Sequence, residues 1–312
     1  MVRGCNMGKR LSLLAVLLMG MAALLSAQTP APGDLQSSQL PATVERVTRQ
    51  PTESDVYCTG FFTARKMASS LIVLGGEEGA LKNEYGDHDI VYLSGGRSRM
   101  NIPGGQYMLV RPIKFSSSTE TFTGQQELLR SMGTLYVDIA RIEVKVLHEG
   151  SATAEILHAC EPVVAGDIAI PLDTRPAPPF KTAKFTERFA PSSGKATGTI
   201  VALKDDQTVA GTGHIAYINL GNKQGLKVGE YLRIFRTYAT QLHDSTLAGT
   251  RDYLTDLMGV PQGHQLTREE SNSLPRSVLG EMMILSTEED SAVGIITYSL
   301  RDIYPGDPVE LE

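Results

Sequence analysis

Ser291–Leu311 reads SAVGIITYSLRDIYPGDPVEL, and earlier in the chain Ser151–Leu172 reads SATAEILHACEPVVAGDIAIPL. Ser151 answers Ser291, Ala152 answers Ala292, Ile156 answers Ile296 and Gly166-Asp167 answers Gly306-Asp307, all at a constant offset of 140 residues. Self-similarity at a fixed offset is the signature of one structural unit used more than once. Before each stretch runs a second apolar alternation, and the turns HEGS and EEDS lie between the two as in a β-hairpin. The pattern predicts a mainly all-β chain of two tandem small β-barrel repeats with short helical inserts, over residues 53–173 and 194–312.

Further from these hairpins the correspondence continues. DIVYLSGG at 89–96 and YMLVRPI at 107–113 are answered by HIAYINLG at 214–221 and YLRIFRT at 231–237. Matching Ile90 to Ile215, Tyr92 to Tyr217, Gly96 to Gly221 and Tyr107 to Tyr231 drops the offset from 125 to 124, which gives the first repeat one extra residue in the connection. Turns tolerate such insertions. Upstream, VYCTGFFTA reads as a strand set against KATGTI, with Cys58 opposite Ala196, and SSLIVLGGEEG reads as a strand stopped by Gly75-Gly76. Each repeat is then interrupted. TGQQELLRSMG reads as a short helix stopped by Gly133. The second insert, 237–277, is longer; AGTRDYLTDLMG reads as a helix ended by Gly259, and VPQGHQLTREESNSLPRS as a mobile remainder. Inserts at one place in a repeated scaffold sit on one face, and function often lives there. Tyr238, Tyr253, Leu254, Leu257 and Met258 are therefore the expected contact surface. Residues 174–193 are the linker, and the prolines of DTRPAPPFKTAKF predict a stiff spacer.

At four places an apolar stretch meets glycine and a polar residue before a strand: Gly105-Gln106, Gly166-Asp167, Gly229-Glu230 and Gly306-Asp307. Glycine can take a positive φ, and a following carboxylate can accept hydrogen bonds from nearby backbone N–H groups. Recurrence at the same point between strands reads as a turn lock rather than as acid catalysis or metal binding. The composite YINLG, GLKVGEYLRIF, an insert, VLGEMMIL, SAVGIIT and PGDPVEL resembles the small β-barrel domain of flagellar assembly protein T. It is also similar to the barrel that accompanies LysM modules in secreted bacterial proteins, although this chain has no LysM-like module. The resemblance covers residues 195–312 better than 55–172, and implies an envelope-located, non-catalytic assembly or binding domain. Taken whole, the chain resembles exported proteins of soil bacteria, which implies no function.

The N-terminus reads as a secretory signal peptide, residues 1–27: Arg3, Lys9 and Arg10, then the uncharged run Leu11–Leu25, then Ser26-Ala27. About 15 apolar residues fall short of the roughly 20 that span a bilayer, and no later stretch approaches that length. Residues 28–52, rich in Pro, Gln, Ser and Thr, read as a flexible lead-in. Removing 1–27 leaves 26 basic residues against 35 acidic, a net charge near −9. That balance disfavours nucleic acid and anionic lipid as partners. Two cysteines survive, Cys58 and Cys160, and an even count in an exported chain permits one disulfide.

Chemistry is hard to assemble from the remaining residues. GDHD at 86–89 puts two acids beside His88, and His214 falls at nearly the equivalent place, but adjacent strand residues face opposite ways and do not converge on one ion. No GxSxG, HExxH, phosphate-binding loop or CxxC is present. Tryptophan, the commonest sugar platform, is absent, and Tyr92, Tyr107, Tyr217 and Tyr231 read as barrel-wall residues. The expectation is a periplasmic or secreted protein without metal or cofactor, binding or scaffolding an envelope protein, peptidoglycan or polysaccharide. The alternative is an enzyme acting on peptidoglycan or polysaccharide through a carboxylate pair between the repeats.

Overall fold

Residue alternation decides the architecture. Ser151–Leu157 buries every second residue, whereas Ala292–Thr297 buries all of them. Strands wetted on one side alternate and strands covered on both sides do not. The second stretch must therefore be covered twice. The computed structural model describes residues 51–79, 81–99, 103–114, 120–181, 187–237 and 267–312. The signal peptide 1–27, nearly all of the lead-in 28–52, and the expected contact residues Tyr238, Tyr253, Leu254, Leu257 and Met258 lie outside them.

The first half begins with α1 (Glu53–Tyr57), where a strand is expected. A capping box starts this helix. Thr52 Oγ1 accepts from the Asp55 N–H, and the Asp55 carboxylate accepts from the Thr52 N–H at 2.8 Å. After a left-handed turn at Gly60 comes β1 (Phe61–Thr63). Then follow β2 (Val73–Gly76), β3 (Ile90–Ser94), the single turn α2 (Gly96–Arg99), β4 (Gln106–Ile113), α3 (Gln125–Met132), β5 (Thr134–Leu147), β6 (Ser151–Ala159) and β7 (Ile168–Pro171). The second half holds β8 (Thr197–Leu203), β9 (Ile215–Ile218), β10 (Tyr231–Arg236), α4 (Arg268–Ser273), β11 (Ser277–Thr287), β12 (Ala292–Ser299) and β13 (Pro308–Leu311). Helix α4 occupies part of the stretch expected to be mobile. Thr267 and Glu270 form a second capping box at its start.

The chain is mainly β. The second half is a closed barrel, β10-β11-β12-β9-β8-β13. The first half is a seven-stranded sheet, β2-β3-β6-β5-β4-β7, with β1 added along the start of β5. Its end strands also meet. Gly166 N–H donates to Val73 O at 2.8 Å and Val73 N–H to Asp167 O at 2.9 Å, beside an Ile72–Ile168 bridge. In the barrel, Gly306 N–H donates to Ile200 O at 2.7 Å and Ile200 N–H to Asp307 O at 2.9 Å. By this register Val73 answers Ile200. VYCTGFFTA therefore does not occupy the place of KATGTI, and α1 and β1 have no counterpart among the described residues of the second half.

The register corrects the turns as well. Gly104 N–H donates to Val144 O and Val144 N–H to Gly105 O, just as Gly229 N–H donates to Ile284 O and Ile284 N–H to Glu230 O. Gly104 and Gly229 are both left-handed, with φ of 87° and 84°. The offset therefore stays at 125, there is no extra residue, and Tyr231 answers Gln106 rather than Tyr107. The paired tyrosines misled the alignment because the ladder, not residue type, sets register.

Inside the first half, Val91, Leu93, Leu109, Ile142, Val144 and Ile156 form the core; inside the barrel, Ile200, Ile218, Leu232, Ile234, Ile284 and Ile296 do so. A third cluster joins the halves. Val56, Phe62, Leu129, Met132 and Leu135 from α1, β1, α3 and β5 cover the barrel's outer face at Val201, Ile215, Tyr217, Val293 and Ile295. Each fully buried side chain of this kind contributes about 1.5–3 kcal/mol, so the halves hold together as one body. The linker is not a spacer. Arg175 N–H donates to Tyr57 Oη at 2.9 Å, its guanidinium pairs with Asp138 at 3.3 Å, and Lys181 N–H donates to Tyr231 Oη at 2.8 Å.

Candidate functional site

The acids that tempt a catalytic reading lie in turns. Asp167 is 1% exposed and accepts from Arg111 Nε at 2.7 Å, Arg111 Nη2 at 2.8 Å and the Val164 N–H at 2.9 Å. Asp307 accepts from Arg236 Nε at 2.7 Å, Arg236 Nη2 at 2.5 Å and the Tyr304 N–H at 2.8 Å. The preceding glycines, Gly166 and Gly306, have φ of 99° and 98°. A bidentate arginine and a backbone donor hold both carboxylate oxygens in each turn. Glu230 caps its turn through the Lys227 N–H at 2.8 Å, after the left-handed Gly229. At the corresponding place in the first half Gly105 has no carboxylate, so the expected Gly105-Gln106 lock is not one.

The histidine near the first of these turns is also accounted for. His88 has φ of 67° and donates its N–H to Ile156 O; Gly213, with φ of 89°, donates to Ile296 O. His88 therefore answers Gly213, and His214 answers Asp89. Asp89 accepts the Gly86 N–H at 2.7 Å, and His214 Nδ1 lies 3.3 Å from the Gly211 nitrogen. The Lys82 ammonium, followed by the Gly86 N–H, holds the Asp89 carboxyl below its usual range.

Cys58 and Cys160 are joined in a disulfide, with Cα atoms 5.5 Å apart. Among the described residues, no helix is long and apolar enough to cross a membrane.

Among the described residues two concavities stand out. The larger, of about 720 Å³, lies on the outer face of the first half. The bare backbones of Gly75 and Gly79, exposed Leu74 and Tyr92, and polar Asn83 and Glu84 line it. Tyr85 forms one wall. Its ring occupies the space above Gly76, where an added Cβ would stand 2.2 Å from Cε1, and its hydroxyl donates to Lys82 O at 2.8 Å. The smaller, of about 260 Å³, lies at the seam between the halves beside Phe62, Arg65, Met132 and the run Glu288–Ser291. Glu289 pairs with Arg65 and Lys223, and Asp290 with Lys223 at 2.7 Å. Burial raises the Glu288 carboxyl, against the pull of Arg65 and Arg175.

No protein-family model matches the chain, and no curated protein matches it.

The larger groove has a counterpart that locates its meaning. Tyr92 pairs with Gly75 and Thr153; Tyr217 pairs with Ala202 and Val293. Tyr217 is buried, its ring edge-on to Phe62 at 5.4 Å, and its hydroxyl donates to Thr59 O at 2.6 Å. Tyr92 is 37% exposed. Around Tyr217 stand Val293 and Ile295; at the matching places beside Tyr92 stand Thr153 and Glu155. Polar side chains solvate the open face, and Leu74 and Tyr92 are left as its apolar spots above a glycine floor. The sequence does carry a signal of this difference: Thr153 and Glu155 keep β6 polar on its outer face, whereas Val293 and Ile295 make the matching places of β12 apolar. Sequence reasoning also missed Asp138, fully buried on β5, which accepts from the Gly60 N–H at 2.8 Å and from Arg175. Burial raises its carboxyl, with Arg175 opposing.

Proposed function

We propose that the chain is an exported, non-catalytic binding or scaffolding protein of the cell envelope, in which one small barrel unit is used twice, over 53–173 and 194–312. The observation that carries this reading is the pair of matching outer faces. The face around Tyr217 already binds protein, namely α1, β1 and α3 of the same chain. The face around Tyr92 keeps the tyrosine, adds a groove of about 720 Å³ and is open. A volume of that size and a mixed apolar and polar lining suit a ligand segment or an oligosaccharide. Three further features support the reading. The disulfide fits an oxidising compartment. The N-terminal sequence reads as a signal peptide. The turn acids are committed to arginine and backbone donors, which favours a frame over a reaction centre.

Co-sedimentation of the mature chain with purified peptidoglycan tests the proposal. Wild-type protein should pellet with the polymer, and Tyr92→Ala with Leu74→Ser should reduce the bound fraction without lowering the melting temperature. Equal pelleting of variant and wild type would refute the groove as the binding face. A second reading keeps the enzyme alternative at the seam, where Glu288, its carboxyl raised by burial, stands beside Glu289 and Asp290, which pair with cations. Release of soluble fragments that Glu288→Gln abolishes would establish that reading and overturn the non-catalytic one.

A further inference from the structure

Apart from the groove and the turns, one cluster among the described residues brings metal-binding atoms together. Cys58, His158 and Cys160 offer two sulfurs and a ring nitrogen, all within 4.8 Å of one another and all half-buried. Their placement follows from the backbone. His158 and Cys160 are two residues apart at the end of β6, and residues so spaced in extended chain point the same way. The Ala159 N–H between them donates to Asp87 Oδ1 at 2.6 Å, which pins this stretch. Cys58 arrives from the C-terminal end of α1. Arg141 stands opposite His158 across the β5–β6 ladder and is paired with Glu53 at 2.8 Å. The second half has Tyr298 and Leu300 where the first has His158 and Cys160, so the cluster belongs to the first half alone.

We propose that the disulfide masks a soft-metal site, and that reduction opens a Cys58–His158–Cys160 site for a zinc-class divalent ion. A dithiol supplies two electrons and two protons, the Cys58–Cys160 bond breaks, two thiols form and the dithiol closes to its own disulfide. Metal binding then releases the two thiol protons to solvent. In a tetrahedral site with metal–sulfur bonds of about 2.3 Å, two thiolates stand roughly 3.8 Å apart. The sulfurs must therefore separate, and a Cα spacing of 5.5 Å lets χ1 rotation do this without moving the strands. Three protein ligands leave the fourth position to solvent or to a small ligand. This inference is independent of the open face around Tyr92.

Cadmium is the probe, because its thiolate complexes absorb in the ultraviolet. Untagged chain is reduced with a dithiol, freed of it under argon and titrated with Cd²⁺. Reduced wild type should give a saturating charge-transfer band at one equivalent, and oxidised protein none. His158→Ala should weaken binding by about tenfold or more, since even outer-shell partners of a metal are worth that much. Cadmium should also raise the melting temperature of the reduced protein in proportion to log concentration. The proposal is overturned if reduced wild type binds no better than Cys58→Ser with Cys160→Ser, or if His158→Ala binds unchanged, which would mark bare thiols as the ligands. It is likewise overturned if the reduced chain shows no cooperative melting that cadmium can restore.

Discussion

Glu281 lies on β11, is 6% exposed and receives the Thr297 hydroxyl on Oε1 at 3.0 Å. Burial raises its carboxyl from 4.5 to about 6, and Arg233, its cross-strand neighbour, only partly opposes this. The folded chain therefore prefers Glu281 protonated. Its favourable contribution is complete below the unfolded value and is lost as pH rises through about 6. The rise from 4.5 to about 6 corresponds to about 2 kcal/mol of destabilisation once both states are ionised. Glu281→Gln removes the charge, keeps the shape and keeps an acceptor for Thr297. Urea denaturation of wild type and variant at pH 4 and pH 8, with the disulfide intact, isolates the effect. At pH 4 the two should agree within about 0.5 kcal/mol. At pH 8 the variant should be the more stable by up to about 2 kcal/mol, or roughly 4–8 °C in melting temperature for a chain of this size. A difference that does not change with pH, or that favours the wild type at pH 8, refutes the reasoning.

Glu310 should show the opposite sign. Burial alone would raise its carboxyl, but Arg276 at 2.6 Å, the Ser192 hydroxyl and the Ser193 N–H outweigh burial and hold it near 2. The stability of about 3 kcal/mol that follows is present above the unfolded value and lost as pH falls towards 2. Glu310→Gln should thus be less stable than wild type at pH 7, with the gap closing in acid denaturation curves. Tyr217→Phe strips the donor from Thr59 O in a buried seam and should cost about 1–3 kcal/mol while calorimetry still records one transition. Two separate transitions would show that the halves are independent. Cys58→Ser with Cys160→Ser opens a loop with a sequence separation of 102 and should lower stability by about 4–5 kcal/mol on the loop-entropy model, measured by chemical denaturation.

The legible part of the fold was the part written in alternation and glycine. Ser151–Ala159 and Ala292–Ser299 became paired strands, Gly133 stopped a helix, and Asp167 and Asp307 capped turns. Arg111 and Arg236, which complete those turns, were visible as matching residues once the offset of 125 was kept, but the tyrosines at 107 and 231 drew the alignment one residue away. The capping boxes at Thr52 and Thr267 are written in the spacing of each Thr to an acid three residues on. The candidate site was scarcely legible. Tyr92 and Tyr217 sit in similar local sequence, and the difference is written in the neighbouring strand, polar at Thr153 and Glu155 but apolar at Val293 and Ile295; Phe62 packs on Tyr217, and Tyr92 stays 37% exposed. The two-residue spacing puts His158 beside Cys160, but the arrival of Cys58 depends on α1 reaching the end of β6 across a separation of 102 residues, which spacing in sequence does not encode.

The seam between the halves also fixes an order of events during synthesis. Phe62, Leu129 and Met132 are made before any residue of the barrel they cover, because the barrel begins only at Thr197. A growing chain thus carries an apolar surface waiting for its cover, and a nascent chain cut short in the linker never hides it. A full-length chain removes that signal from view, whereas a truncated one displays it to proteases and chaperones. The same packing that makes the protein one body therefore ties the burial of the first half's apolar face to completion of the chain.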